Sequence, residues 1–272
     1  MTHRSSQQTD MSVPAGGDAG AEAGVASSVR RPARRVRRLA GAAVAAQVAF
    51  TASWLLAAAW QGPRYSVFAH SISDMYAVTA PGAAFLIIVL TVCGAVTIWF
   101  ALRSLLPMLR SALGPAPGSA GWLATAGSWL LALSIFGLGN LLTVTERLDC
   151  RLADPGCTSA KQLSNFGGTM DDLLSTAGLI LFVIAGFLLA AAMKRAAGWQ
   201  PLVRPTRWFM ALMIVVLLAD SMGLGGLGGL FERLAALIGA AWIAFVAAAG
   251  RRRSSLLSAS ECQRVALGSA QR

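Results

Sequence analysis

Apolar residues in this chain come in long blocks, without the alternation of a strand or the stripe of a surface helix. A bilayer crossing takes roughly 20 apolar residues. Blocks of that size lie near 39–60, 82–106, 121–145, 171–193, 205–222 and 230–249. The pattern predicts an all-α integral membrane bundle of six transmembrane helices. Asp220 and a run of glycines blur the end of the fifth block. Residues 1–38 read as a disordered, basic cytoplasmic tail, 39–249 as the membrane domain and 250–272 as a second short tail. Residues 1–29 are rich in Ala, Gly and Ser and carry too little apolar surface to fold. The stretch "LLSASECQRVAL" has the makings of a weak amphipathic helix on the membrane surface.

Composition agrees with the pattern. The 272 residues are 56% hydrophobic and only 13% charged, where a soluble domain carries roughly a quarter. The net charge of +11 suits anionic headgroups, because the arginines gather at the block ends and no nucleic-acid motif accompanies them. Arg34, Arg35, Arg37, Arg38, Arg103, Arg110, Lys194, Arg195, Arg204, Arg207 and Arg251 to Arg253 fall in the tails and even-numbered connections. Odd-numbered connections hold only Arg64, Arg147, Arg151, Lys161 and Arg233. The positive-inside rule therefore predicts both termini in the cytoplasm, with the protein in an inner membrane. A polar tail precedes the first block, and the block outruns a signal-peptide h-region, so it is expected to stay as a span.

Cys150 and Cys157 share the third connection, in "LDCRLADPGC". That side is oxidising on this topology, and Asp154-Pro155-Gly156 is a turn signal, so a disulfide is expected. No further Cys or His stands near for a metal. "GLGGLGGLFE" matches a dinucleotide fingerprint formally, but it follows a membrane span rather than a strand. It reads instead as a tight connection, as backbone lying close over a neighbour, or as an N–H nest for an anion.

The chemistry-bearing residues sit at the outer block ends. "YSVFAHSISDMYAVTAPGAAF", residues 65–85, contains His70, Ser71, Ser73 and Asp74. In a helical turn, His70, Ser73 and Asp74 would share a face. Asn140, Thr143 and Arg147 close the third block. Asp171 and Asp172 open the fourth, Asp220 ends the fifth, and Glu232 and Arg233 open the sixth. Antiparallel spans bring these ends to one side. Polar groups at that depth are costly unless they face an interior, so an outward-facing polar pocket is expected. His70, Asp74, Asp172 and Asp220 are the candidates for acid–base work. Ser73, Asn140, Arg147, Asp171, Glu232 and Arg233 are the candidates for binding. A serine triad is not supported, because the residues lie in one turn and no G-x-S-x-G elbow is present. A zinc site lacks ligands. The carboxylates would accept a hard cation such as Mg²⁺ or Ca²⁺, but no cofactor is expected. The bland reading is that Ser71, Ser73 and Asp74 cap a helix while outer acids and arginines pair at the water line.

The 65–85 stretch, "CRLADPGC" and "FERLAALIGAAWIAFVA" resemble segments of a bacterial six-helix membrane family catalogued as domain of unknown function 998. The resemblance covers roughly residues 39 to 249 and implies a multi-pass membrane protein without an established activity. Members often carry a histidine near the start of the fourth span; this chain reads "TMDDLLSTAG" there, with acids instead, a departure that argues against any shared histidine-metal chemistry. No internal repeat supports a transporter built of inverted halves, and channel signatures are missing. Two classes remain. One is a binding, sensing or partner subunit in the lipid bilayer that takes a small molecule or lipid at its outer face. The other is a membrane enzyme acting at the outer leaflet through His70 and nearby carboxylates. No nucleic-acid partner is expected.

Overall fold

A computed structural model describes residues 18–115, 118–223 and 225–270, with side chains described between 34 and 253. Expectations for residues 1–17, and for side chains before 34 and after 253, lie outside the described residues. The helix of the last span continues as backbone helix to Ala270.

Six helices are long and apolar enough to cross a membrane: Arg34–Ala58, Ala83–Leu113, Gly118–Leu142, Phe166–Arg195, Gln200–Ser221 and Gly228–Arg253. These are called the first to sixth spans below. No strand occurs among the described residues. The chain is a multi-pass membrane protein. Each span runs past its apolar block at one end or at both, because hydropathy does not register caps or arginine-bearing turns. The fourth span begins at Phe166, where the Asn165 side chain accepts from Gly168 N–H at 2.6 Å. That cap satisfies one of the first-turn amides.

The first span packs against the second and sixth, the third against the fourth, and the fifth against the fourth and sixth. Aromatic rings join four spans at the centre. Phe50 meets Phe136 at 5.8 Å between ring centroids, Phe136 meets Phe182 at 4.7 Å, and Phe182 meets Trp242 edge-on at 5.1 Å. Phe182 and Trp242 are wholly buried. In a bilayer such packing supplies association, because apolar burial alone does not distinguish a neighbouring helix from lipid.

The third span is broken. Ser134 leaves the helical region at φ −69°, ψ 175°, and a single π turn, Ile135–Gly139, follows. The Ser134 hydroxyl donates to Leu131 O at 2.8 Å and so satisfies one carbonyl near the break. Small residues make the break possible by close approach. A Cβ on Gly94 would stand 2.4 Å from Leu141 N and 2.6 Å from Gly137 O.

The two ends of the bundle differ. At one end Arg34, Arg35, Arg37, Arg38, Arg103, Arg110, Arg195, Arg204 and Arg207 are exposed. There Arg253 lies 4.8 Å over the Trp199 ring. At the other end residues 59–82 run across the spans as a strap, and residues 143–165 form a loop against it. This is the capped end.

Candidate functional site

The strap carries one short 3-10 helix, Ser73–Tyr76, wholly buried. His70 lies before it, so His70, Ser73 and Asp74 do not share a helical face. Ser71 Oγ accepts from Asp74 N–H at 3.0 Å, which is the capping role that the bland reading assigned to a serine. The strap has few amide-to-carbonyl bonds of its own, and side chains from three other segments supply its partners.

Arg233 is the largest of these. One of its terminal nitrogens donates to the carbonyl oxygens of Val67, His70 and Gly229 at 2.9, 2.7 and 2.8 Å. The other donates to the Tyr65 hydroxyl. Its guanidinium stands 5.9 Å from the Trp54 and Tyr65 ring centroids. Burial pushes the Tyr65 hydroxyl up to about 12, and Arg233 opposes that rise. Next door, Glu232 accepts from Ile72 N–H at 2.9 Å. Gly229 permits this seam, because a Cβ there would lie 2.2 Å from His70 O. Of the readings open for the glycine run, close backbone approach is the one seen at Gly229, where Leu230 N–H also donates to Phe68 O at 3.0 Å.

Arg147 holds the far end of the strap, donating to Tyr76 O at 3.0 Å and Ala77 O at 2.9 Å. Asp74 is fully buried and accepts from Leu152 N–H at 3.1 Å and from the Gln162 amide at 2.7 Å. Burial raises its carboxyl above the ordinary range, against the pull of the Leu152 amide and of His70. Cys150 and Cys157 are joined by a disulfide, with Cα atoms 6.1 Å apart. Arg151 pairs with Asp154 in the same loop and donates to Gln61 O at 3.0 Å. The expected disulfide is present, and the loop it closes is stitched to the strap.

Beneath the strap lies an acid cluster. Asp171 Oδ1 accepts from the Tyr76 hydroxyl at 2.8 Å and from Ser73 Oγ at 3.2 Å, and those two hydroxyls are themselves 3.0 Å apart. Burial, together with the charge of Asp171, pushes the Tyr76 hydroxyl well up. Glu146, just past the third span, is only 2% exposed, and its Oε1 has no hydrogen-bond partner. Burial, with Asp171 adding to it, pushes Glu146 up to about 8. Asp74 Oδ2 and Arg233 Nε are likewise buried without a partner.

The structure thus brings together Ser73, Asp74, Arg147, Asp171, Glu232 and Arg233. It leaves Asp172 and Asp220 exposed. His70 is half-buried, its ring 5.3 Å from that of Tyr65, and its Nδ1 accepts from Ser66 N–H at 2.9 Å. Asn140 is buried below the cap at the end of the third span. Sequence reasoning passed over Tyr65, Tyr76, Glu146 and Gln162. Gly168, Asp171, Gly178, Phe182 and Ala185 form one buried stripe of the fourth span. Asp171 is therefore in register with the small residues of the packed face, and Asp172 is not. Among the described residues no group of three or more His, Cys, Asp or Glu side chains is placed to hold a metal ion.

Six apolar helices under a polar, cross-linked cap define a multi-pass membrane protein. The model of a family described as "Protein of unknown function (DUF998)" matches residues 44–249, and the chain belongs to that family. No curated protein and no solved structure matches it.

Proposed function

We propose that this protein is a non-enzymatic component of the bacterial inner membrane. In this reading both termini are cytoplasmic and the capped end faces outward. The cap acts as a sensing or partner-binding element that responds to a small ligand or lipid at the outer face. The observation that carries the reading is the division of labour among the charged groups. Arg147, Arg233 and Glu232 are committed to strap backbone. Asp74 and Glu146, by contrast, keep buried carboxyl oxygens without partners. A cap cross-linked in this way, yet not fully satisfied, is suited to change state when those oxygens gain a partner.

The enzymatic alternative assigns base chemistry to His70. The hydrogen bond from Ser66 N–H engages the Nδ1 lone pair of His70, which counts against that role. Profiling the lipids and metabolites of a deletion strain tests the choice. The strain is complemented with wild type, His70→Ala or Arg233→Ala. The component reading expects His70→Ala to match wild type and Arg233→Ala to match the deletion. A compound that accumulates in His70→Ala as it does in the deletion would overturn the reading.

A further inference from the structure

We infer that Glu146 and Asp171 form a proton-binding site that latches the strap. The inference rests on the reading of the cap as a responsive element and names its ligand. Two observations carry it. Glu146 is buried with no donor to its Oε1, and the backbone on either side of it packs on the fourth span one turn before a second buried carboxylate, Asp171: a Cβ on Gly167 would stand 2.6 Å from Arg147 O and 3.0 Å from Thr145 O. A buried carboxyl without a partner is satisfied at least cost by a proton of its own. A proton also needs no cavity.

The surroundings favour the neutral form of Glu146. From the strap, Tyr76 and Ser73 give their hydroxyls to Asp171, not to Glu146. Asp74, also on the strap, is a further acid, with His70 and Arg151 as its nearest basic influences. The sixth span adds Glu232, and the charge of its neighbour Arg233 is committed to strap carbonyls and Tyr65. Asp172 is exposed on the fourth span. Arg147 follows Glu146 directly, and its guanidinium is bound to Tyr76 O and Ala77 O.

Loss of the Glu146 proton therefore adds a second negative charge near Asp171 under a closed cap. The relief available is water, and the strap keeps water out. Its Ser73–Tyr76 turn is buried and supplies the donors to Asp171. Deprotonation lifts that turn, and protonation reseats it.

Hydrogen exchange of the full chain in nanodiscs tests this, with protons as the ligand. Protection factors for residues 72–77, corrected for intrinsic base catalysis, are compared at about pH 6 and about pH 9. Wild type is expected to lose about tenfold or more of this protection at the higher pH, and Glu146→Gln, which mimics the protonated acid, to lose less than about twofold. Unchanged protection in wild type, or an equal loss in Glu146→Gln, would overturn the latch. Infrared spectroscopy of wild type gives a second readout that needs no variant. A buried protonated-carboxyl band should disappear as pH rises through about 8, and a spectrum without that band also overturns the proposal. Neither measurement depends on the metabolite profile, so the latch and the component reading can fail separately.

Discussion

Tyr76 donates its phenolic hydroxyl to Asp171 at 2.8 Å, across 95 positions of sequence. The bond ties the strap to the fourth span inside a buried site, where a hydrogen bond to a charged group contributes about 1.5–3 kcal/mol. Tyr76→Phe is therefore expected to destabilise the protein by that amount with little change in packing. Thermal unfolding in detergent, scored beside Asp171→Asn and the double variant, checks it. Additive losses in the cycle would show that the two residues do not interact.

Stability should fall as pH rises. Glu146 is held up to about 8 in the folded protein, against 4.5 for an ordinary glutamate. Between those values the folded state binds a proton that the unfolded state has released. Its contribution is thus fully present below about 4.5 and lost as pH climbs through about 8. Asp74, also raised by burial, pulls in the same direction. Melting temperatures across that range should decline in wild type and decline less in Glu146→Gln. A flat wild-type profile would contradict the burial argument.

Gly94→Ala is expected to prevent folding or to cost at least about 3 kcal/mol, beyond ordinary overpacking. The new Cβ would meet backbone at Leu141 and Gly137, and backbone at the third-span break has nowhere to move. Gly225→Ala meets nothing within 4 Å and serves as the control. Fluorescence-detected size exclusion of tagged variants compares the folded yields, and equal yields would show that the second and third spans can separate freely.

The Cys150–Cys157 bond should protect both thiols from a membrane-impermeant maleimide until reductant is added. A bond across so short a loop is worth about 2–3 kcal/mol at most, so Cys150→Ser with Cys157→Ser should lower the melting point without abolishing the fold. Labelling of both cysteines before reduction would refute the bond in the membrane.

Topology follows from the arginine-rich end. Reporter fusions after residues 115 and 200 are expected to read cytoplasmic, and fusions after 66 and 160 external. A cytoplasmic reading at 160 would reverse the assignment of the capped end.

The apolar blocks and the arginine bias by themselves determined the six spans, the class of protein and the two unlike ends, because a bilayer forces every crossing to be a long apolar helix. Cys150 and Cys157 were also legible, since their pairing is local to one loop. The third-span break at Ser134 was not. The close approach of Gly94 on another helix to Gly137 and Leu141, just past the break, leaves no mark on local hydropathy. Within the site, the sequence placed Asp171, Glu232 and Arg233 at the right end of the bundle but could not rank them against Asp172 and Asp220. Adjacent residues on a helix differ by about 100° in direction, and only packing decides which one faces inward. Tertiary structure alone decided that Asp171 turns toward Tyr76 while Asp172 stays exposed. It also decided that Glu146 is buried, because its neighbours Thr145 and Arg147 pack on Gly167 of the fourth span and the loop that follows is held by the disulfide, Arg147 and the strap.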